Sequence, residues 1–272
     1  MNWERGLGVI SRWETAEVEF GTIGTREEGY ISMLEACPAP MLRELCLTRG
    51  FRESSGVKAD LFRGIAPRLQ GLRLQHISLR NWNSPFLFNL RGLSLHMVSG
   101  LTMGQLLAIL EACKGLEMLE FTLVDFDDVT SASGPRYLIN LPCLSRLRIT
   151  FVSPTACNRL LRAIQAHSCR NFTIHMTDKL QDATICSEFV NQSLRSFLTT
   201  AEDVWAIIHT SSESISIRNV ERNNQFVIHL SGFLLHSIWS TFLPLLFPQT
   251  SSVQIDITFD SSDLDLPREA SA

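Results

Sequence analysis

The chain has 272 residues and a formal net charge of -4, with 45% hydrophobic and only 19% charged positions. That apolar supply excludes wholesale disorder and supports a large packed core. The acidic balance excludes an overall electrostatic grip on nucleic acid.

The first predicted element is a short strand, Glu17-Val18-Glu19-Phe20, inside an N-terminal segment, residues 1–29, that reads as a partial first repeat. This segment lacks the apolar run of a signal peptide. Short helical candidates follow at residues 30–36 and 58–63. From residue 42 a single phrase recurs: Leu42-Arg-Glu-Leu45-Cys-Leu47, Leu69-Gln-Gly-Leu72-Arg-Leu74, Leu90-Arg-Gly-Leu93-Ser-Leu95, Leu116-Glu-Met-Leu119-Glu-Phe121 and Leu144-Ser-Arg-Leu147-Arg-Ile149. The middle apolar residues fall at 45, 72, 93, 119 and 147, a spacing of about 21 to 28 residues, within the range of leucine-rich repeats. Weaker copies are Cys169-Arg-Asn-Phe172-Thr-Ile174, Ser212-Glu-Ser-Ile215-Ser-Ile217 and Ser252-Val253-Gln-Ile255-Asp-Ile257.

In each block the alternation puts two apolar side chains on one face of a short strand. No block buries that face alone, so neighbouring repeats must stack to make a core. Helical patterns fill the intervals. Residues 104–113 carry Leu106, Leu107 and Leu110, and residues 158–167 carry Leu160, Leu161 and Ile164. Residues 202–209 carry Val204, Ile207 and Ile208 behind Glu202 and Asp203, whose charge suits a helix start. The expected fold is α/β: a leucine-rich-repeat solenoid with a parallel sheet on the concave face and helices on the convex face. Residues 30–175 hold the regular repeats, 176–259 irregular and longer repeats of the same solenoid, and 260–272 an acidic flexible tail.

The residue between the last two apolar positions of a block faces outward. These are Cys46, Arg73, Ser94, Glu120, Arg148, Thr173, Ser216 and Gln254. Two residues further on come Thr48, Gln75, His96, Thr122, Thr150, His175, Arg218 and Asp256. Solenoid concavities bind extended partners through many modest contacts. The partner-binding candidates are Arg73, Gln75, His96, Glu120, Thr122, Arg148, Thr150, His175 and Arg218. The mixed polarity suits a protein partner and lacks the cationic density of a nucleic-acid track.

Catalytic signatures are missing from the sequence: there is no HExxH, GxSxG, GxxxxGK[ST] or GxGxxG. The seven histidines are scattered without an i,i+4 pair, and Asp125, Asp127 and Asp128 read as a polar loop. No enzyme activity, metal or cofactor is expected. The seven cysteines are widely spaced with no CxxC, so they read as reduced thiols in the cytoplasm or nucleus. Trp82, just after a strand, is expected to plug a turn. The apolar run 226–247 is interrupted by His229, Gly232, His236 and Pro244 and lacks flanking cations. It reads as a buried strand and helix rather than a membrane span.

Several phrases carry a family likeness: Leu34-Glu-Ala-Cys-Pro-Ala-Pro-Met-Leu-Arg-Glu-Leu-Cys-Leu47, Leu61-Phe-Arg-Gly-Ile-Ala-Pro-Arg-Leu-Gln-Gly-Leu-Arg-Leu74, Asn81-Trp-Asn-Ser-Pro-Phe-Leu-Phe-Asn-Leu-Arg-Gly-Leu-Ser-Leu95, and residues 106–119. Across about residues 30–165 the chain resembles the F-box-like leucine-rich-repeat proteins of mushroom-forming fungi. That resemblance implies a substrate receptor of a cullin-type ubiquitin ligase, whose F-box docks on a Skp-type adaptor. Residues 1–29 are too short for an F-box and lack its Leu-Pro start, so the adaptor is expected only if an F-box lies upstream. The alternatives are a stand-alone leucine-rich scaffold, a degenerate family member without ligase function, and a membrane-attached protein through residues 226–247.

Overall fold

The computed structural model describes residues 10–20, 27–50, 57–127, 138–166, 168–169 and 171–175, together with strands at 204–209, 214–219, 224–229 and 253–258. It is an α/β fold built on a parallel sheet of seven strands. These are β1 (Thr15–Phe20), β2 (Glu44–Arg49), β4 (Gly71–Gln75), β6 (Gly92–His96), β7 (Met118–Thr122), β9 (Arg146–Thr150) and β11 (Asn171–His175), lying side by side in chain order. Short strands β3 (Val57–Ala59), β5 (Ile77–Leu79), β8 (Ile139–Asn140) and β10 (Ile164–Gln165) form two small parallel pairs apart from the main sheet.

The register explains the recurring phrase. Leu45, Leu72, Leu93, Leu119, Leu147 and Phe172 are partners across successive strands, as are Leu47, Leu74, Leu95, Phe121, Ile149 and Ile174. All twelve are 2% exposed or less. The leading apolar residues Leu42, Leu69, Leu90, Leu116 and Leu144 are as deeply buried and add a third inward row. Complete burial of a leucine side chain contributes about 1.5–3 kcal/mol, so stacked rows are the main source of cohesion.

Each strand is entered through the same hydrogen bonds. The Arg43 carbonyl accepts from the Gln70 and Gly71 amides, Gln70 from Arg91 and Gly92, Arg91 from Glu117 and Met118, and Glu117 from Ser145 and Arg146. One acceptor per repeat therefore fixes where the next strand begins.

Among the described residues three α-helices pack on the apolar side: α1 (Glu27–Ala36), α2 (Met103–Ala112) and α3 (Pro154–Ala163). Helix α2 starts at a capping box in which Thr102 Oγ1 accepts from the Gln105 amide at 3.1 Å. In return the Gln105 side chain accepts from the Thr102 amide at 3.0 Å. This satisfies two amide donors that a helix start leaves open. Met103, Leu106, Ile109 and Leu110 then face the core. Helix α3 opens at Ser153, whose hydroxyl accepts from the Ala156 amide at 3.3 Å. It buries Ala156, Cys157, Leu160 and Leu161.

Two expected helices are corrected. In place of the helix expected at residues 58–63, β3 is followed by a left-handed turn at Leu61–Gly64, with Phe62 and Arg63 at φ 56° and 52°. Phe62 is completely buried, so burial of its ring outweighs the backbone strain. Of the helix expected at residues 202–209, residues 202–203 lie outside the described residues, and Val204–His209 instead forms strand β12. Its aromatic and β-branched residues favour extended backbone, and Val204, Ala206 and Ile208 alternate as well as they wind.

Beyond β11 the order of strands changes. The sheet continues with β14 (Asn224–His229), β13 (Ser214–Asn219), β12 and β15 (Val253–Thr258). Strand β13 runs antiparallel to both β12 and β14, while β14 is parallel to β11 and β15 to β12. These four strands therefore do not follow one another across the sheet in chain order. The tail 260–272 lies outside the described residues.

Candidate functional site

Among the described residues the helices and the leucine rows occupy one face of the parallel sheet and leave the other face open. Its residues form registered rows. One row runs Glu17, Cys46, Arg73, Ser94, Glu120, Arg148 and Thr173. The next runs Glu19, Thr48, Gln75, His96, Thr122, Thr150 and His175. Strand alternation sends these positions away from the leucines, and neighbouring rungs lie about 4.8 Å apart.

Eight of the nine candidates fall in these two rows. Arg73 and Arg148 are exposed, and neither has an ion-pair or hydrogen-bond partner among the described residues. Gln75, Thr122 and Thr150 are half-buried. Glu120 accepts from the Ser94 hydroxyl at 3.4 Å, which holds its carboxylate between the two arginine rungs. Ser94 itself is only 9% exposed, so this outward position is walled in by its neighbours. His175 stands in register between Thr150 and His229.

Arg218 is the exception. The antiparallel run of β13 pairs it with Gln225 and Trp205, placing it in the register of Asn171 rather than of His175. Gln254 and Asp256 shift by the same logic, to Trp205 and Ile207. Sequence counting assumed that every strand runs the same way.

His96 has a close aromatic neighbour, the His76 ring, with centroids 5.8 Å apart. Burial, and then the charge of His76, hold the His96 imidazole below its ordinary pKa. A neutral His96 imidazole presents one donor and one acceptor without charge.

Charge is unevenly spread along the open face. Glu17, Glu19 and Glu44 lie on β1 and β2. From β4 to β9 the exposed outward charges are Arg73, Arg146 and Arg148, against the half-buried Glu120. The face is acidic at its first edge and basic towards β9, in a chain whose overall charge is negative.

One set of residues on this edge escapes sequence reading. The first residue after each of β4, β6, β7 and β9 has positive φ: His76 at 57°, Met97 at 51°, Leu123 at 53° and Phe151 at 56°. The His76, Met97 and Leu123 amides donate to the carbonyls of His96, Thr122 and Thr150 on the neighbouring strand, at 2.8 to 2.9 Å. The turn re-aims the chain so that Ile77, Val98, Val124 and Val152 enter the core. Its only sequence trace is a branched apolar residue three places after the last leucine-type residue of each block.

Elsewhere, a polar cavity of about 440 Å³ is lined by Glu35, Asp60, Arg63, Arg80, Asn81 and Ser84, among others. Glu35 Oε1 accepts from the Asp60 amide at 2.9 Å and lies 3.7 Å from Arg80 Nη2. Arg80 Nε also donates to the Lys58 carbonyl at 3.1 Å. These contacts tie α1 to the turns after β3 and β5. Trp82 is 1% exposed, in keeping with a turn plug.

Among the described residues no group of three or more His, Cys, Asp or Glu side chains could hold a metal. Asp125 and Asp127 are exposed, and Asp128 lies outside the described residues. No helix among the described residues is long and apolar enough to cross a membrane. Of the run 226–247, Phe226–His229 belongs to β14 and the remainder lies outside the described residues. Comparison with family models, characterised proteins and solved structures finds no match to this chain.

Proposed function

We propose that this chain is a non-catalytic protein-interaction module, a leucine-rich solenoid whose open, concave sheet face holds a polypeptide partner. The observation that carries this reading is the registered outer face, with Arg73 and Arg148 exposed and without partners among the described residues, on either side of Glu120. Arginine is enriched among residues that dominate binding energy. The resemblance to F-box-like leucine-rich-repeat proteins gives the reading a setting, the capture of substrate for a ubiquitin ligase. In that setting the repeats hold the substrate, and capture of a Skp-type adaptor by the native full-length protein tests the ligase role.

The interaction role itself is tested with Arg73→Glu and Arg148→Glu combined. Both side chains are exposed, so the double variant keeps the wild-type melting temperature within a degree or two. Retention of cellular proteins by the immobilised chain, compared by mass spectrometry, should fall at least tenfold for those that use this face. Equal retention by both forms would exclude the face as the binding site.

A further inference from the structure

We propose that the polar cavity between α1 and the turns after β3 and β5 binds a free α-amino acid, with its ammonium group at Asp60 and its carboxylate at Arg63 and Ser84. This goes beyond the interaction reading and does not depend on it, because the cavity lies among the turns beside β3 and β5, which stand apart from the main sheet. Three observations carry it.

The first is a balance of charge. Glu35, Asp60, Arg63 and Arg80 line the cavity, two carboxylates against two guanidiniums. Glu35 and Arg80 are used by the fold: they pair with each other at 3.7 Å and also bond to backbone, at the Asp60 amide and the Lys58 carbonyl. Asp60 and Arg63 are exposed, and neither side chain has a partner among the described residues. They stand three residues apart in the chain and line one cavity, yet they form no ion pair with each other. One free anion and one free cation remain. An anionic ligand would meet Asp60, and a cationic one would meet Arg63. An uncharged ligand would desolvate both charges without pairing either. A zwitterion satisfies both.

The second is a buried hydroxyl. Ser84 lines the same cavity and is only 2% exposed. It precedes the short helical turn Pro85–Asn89, but its side chain makes no hydrogen bond among the described residues. Buried polar groups are nearly always paired, so a hydroxyl left open inside a cavity marks the place of a ligand atom. Its O–H suits a carboxylate oxygen, as do the N–H groups of Arg63.

The third is strain at Arg63. Phe62, Arg63 and Gly64 are successive left-handed residues, with φ of 56°, 52° and 75°. Glycine adopts this shape freely, and burial of the ring offsets its cost at Phe62. Arg63 has neither compensation: it carries a Cβ and is exposed. Strained residues kept in such conformations concentrate at ligand-contacting sites. The volume, about 440 Å³, lies near the small end of ligand sites, which run from about 300 to 1,000 Å³. It favours a compact zwitterion over a peptide.

The test is calorimetric titration of the full chain with the common L-α-amino acids, one at a time. At least one should bind, and its N-acetyl and C-terminal amide derivatives should each bind at least tenfold more weakly, because each leaves one charge of the cavity unmatched. Asp60→Asn should lose the discrimination against the N-acetyl form, and Arg63→Asn that against the amide. Both should leave the melting temperature unchanged, since both side chains are exposed and asparagine tolerates left-handed backbone. Ser84→Ala should weaken binding while leaving the melting temperature of the unliganded chain unchanged or raised, because it removes a buried hydroxyl that has no partner. Arg73→Glu with Arg148→Glu should leave the affinity unchanged, which separates this site from the sheet face. Absence of binding by every amino acid would overturn the proposal, as would equal affinity for the free and capped forms. Binding of inorganic phosphate that Asp60→Asn strengthens would make the cavity an anion site and overturn the zwitterion. A large fall in melting temperature for Ser84→Ala would make that hydroxyl structural and overturn its assignment to the ligand.

Discussion

His96, at the end of β6, makes the fold sensitive to acid. Burial, and then His76, lower the His96 pKa from its ordinary value of 6.5. The unfolded chain, whose imidazole has the ordinary value, therefore binds a proton before the folded chain does. Stability is full above that value and declines as pH falls from it towards the lower folded value. His96→Gln should flatten the slope of melting temperature between about pH 7.5 and 5.5. An unchanged slope would show that His96 is not the group responsible. Cysteine chemistry at this scale is quiet. The Cys113 thiol donates to the Leu87 carbonyl at 3.0 Å, and burial pushes Cys169 up to about 12. Both stay protonated and poorly reactive at neutral pH, whereas Cys143 is exposed. Local pattern made most outward residues legible, because alternation within a strand needs no knowledge of the rest of the chain. It could not reveal the bulky residues at positive φ, since nothing in Met97 or Leu123 announces a left-handed turn.

At the scale of elements, the helices are short and depend on their starts. Helix α2 has ten residues, a length that is marginal in isolation. Its capping box should be worth about 1 kcal/mol, so Thr102→Ala lowers unfolding free energy by that amount in urea titration. A loss within experimental error would mean that packing of Leu106 and Leu110 alone sets the helix start. Glycine has a separate role in the strands. A Cβ added at Gly71 would collide with the Glu44 carboxylate, which lies across the neighbouring rung. The strands were legible because leucine alternates at a fixed beat. Residues 58–63 and 202–209 were not, for different reasons. The first buries Phe62 through strained backbone that no propensity favours. The second, Val-Trp-Ala-Ile-Ile-His, satisfies periods of two and of nearly four at once.

For the molecule as a whole, the solenoid proposed above predicts that stability comes mainly from contacts between neighbouring strands. Leu119 sits in the middle of the apolar row, with Leu93 on one side and Leu147 on the other, and is fully buried. Leu119→Ala should cost about 2–5 kcal/mol. Hydrogen exchange should then quicken most in β6, β7 and β9 and less in β1, as expected when repeats couple mainly to their neighbours. Uniform loss of protection would instead indicate one all-or-none unit. The order of the last strands was beyond sequence reading, because β12, β13 and β14 carry ordinary strand patterns and only their pairing partners reveal the reversal.

That reversal has a consequence for how the chain is made. The first seven strands can be added to the sheet in the order in which they leave the ribosome. The strand that covers β11, however, ends at His229, well after His175, and two other strands are synthesised between them. At about 5–20 residues per second, the edge of β11 waits roughly 3–11 s for its partner. During that interval it presents unpaired amides and carbonyls, the kind of edge that recruits foreign strands. Slow translation after residue 175 should therefore lower the yield of soluble chain more than the same delay placed between β6 and β7.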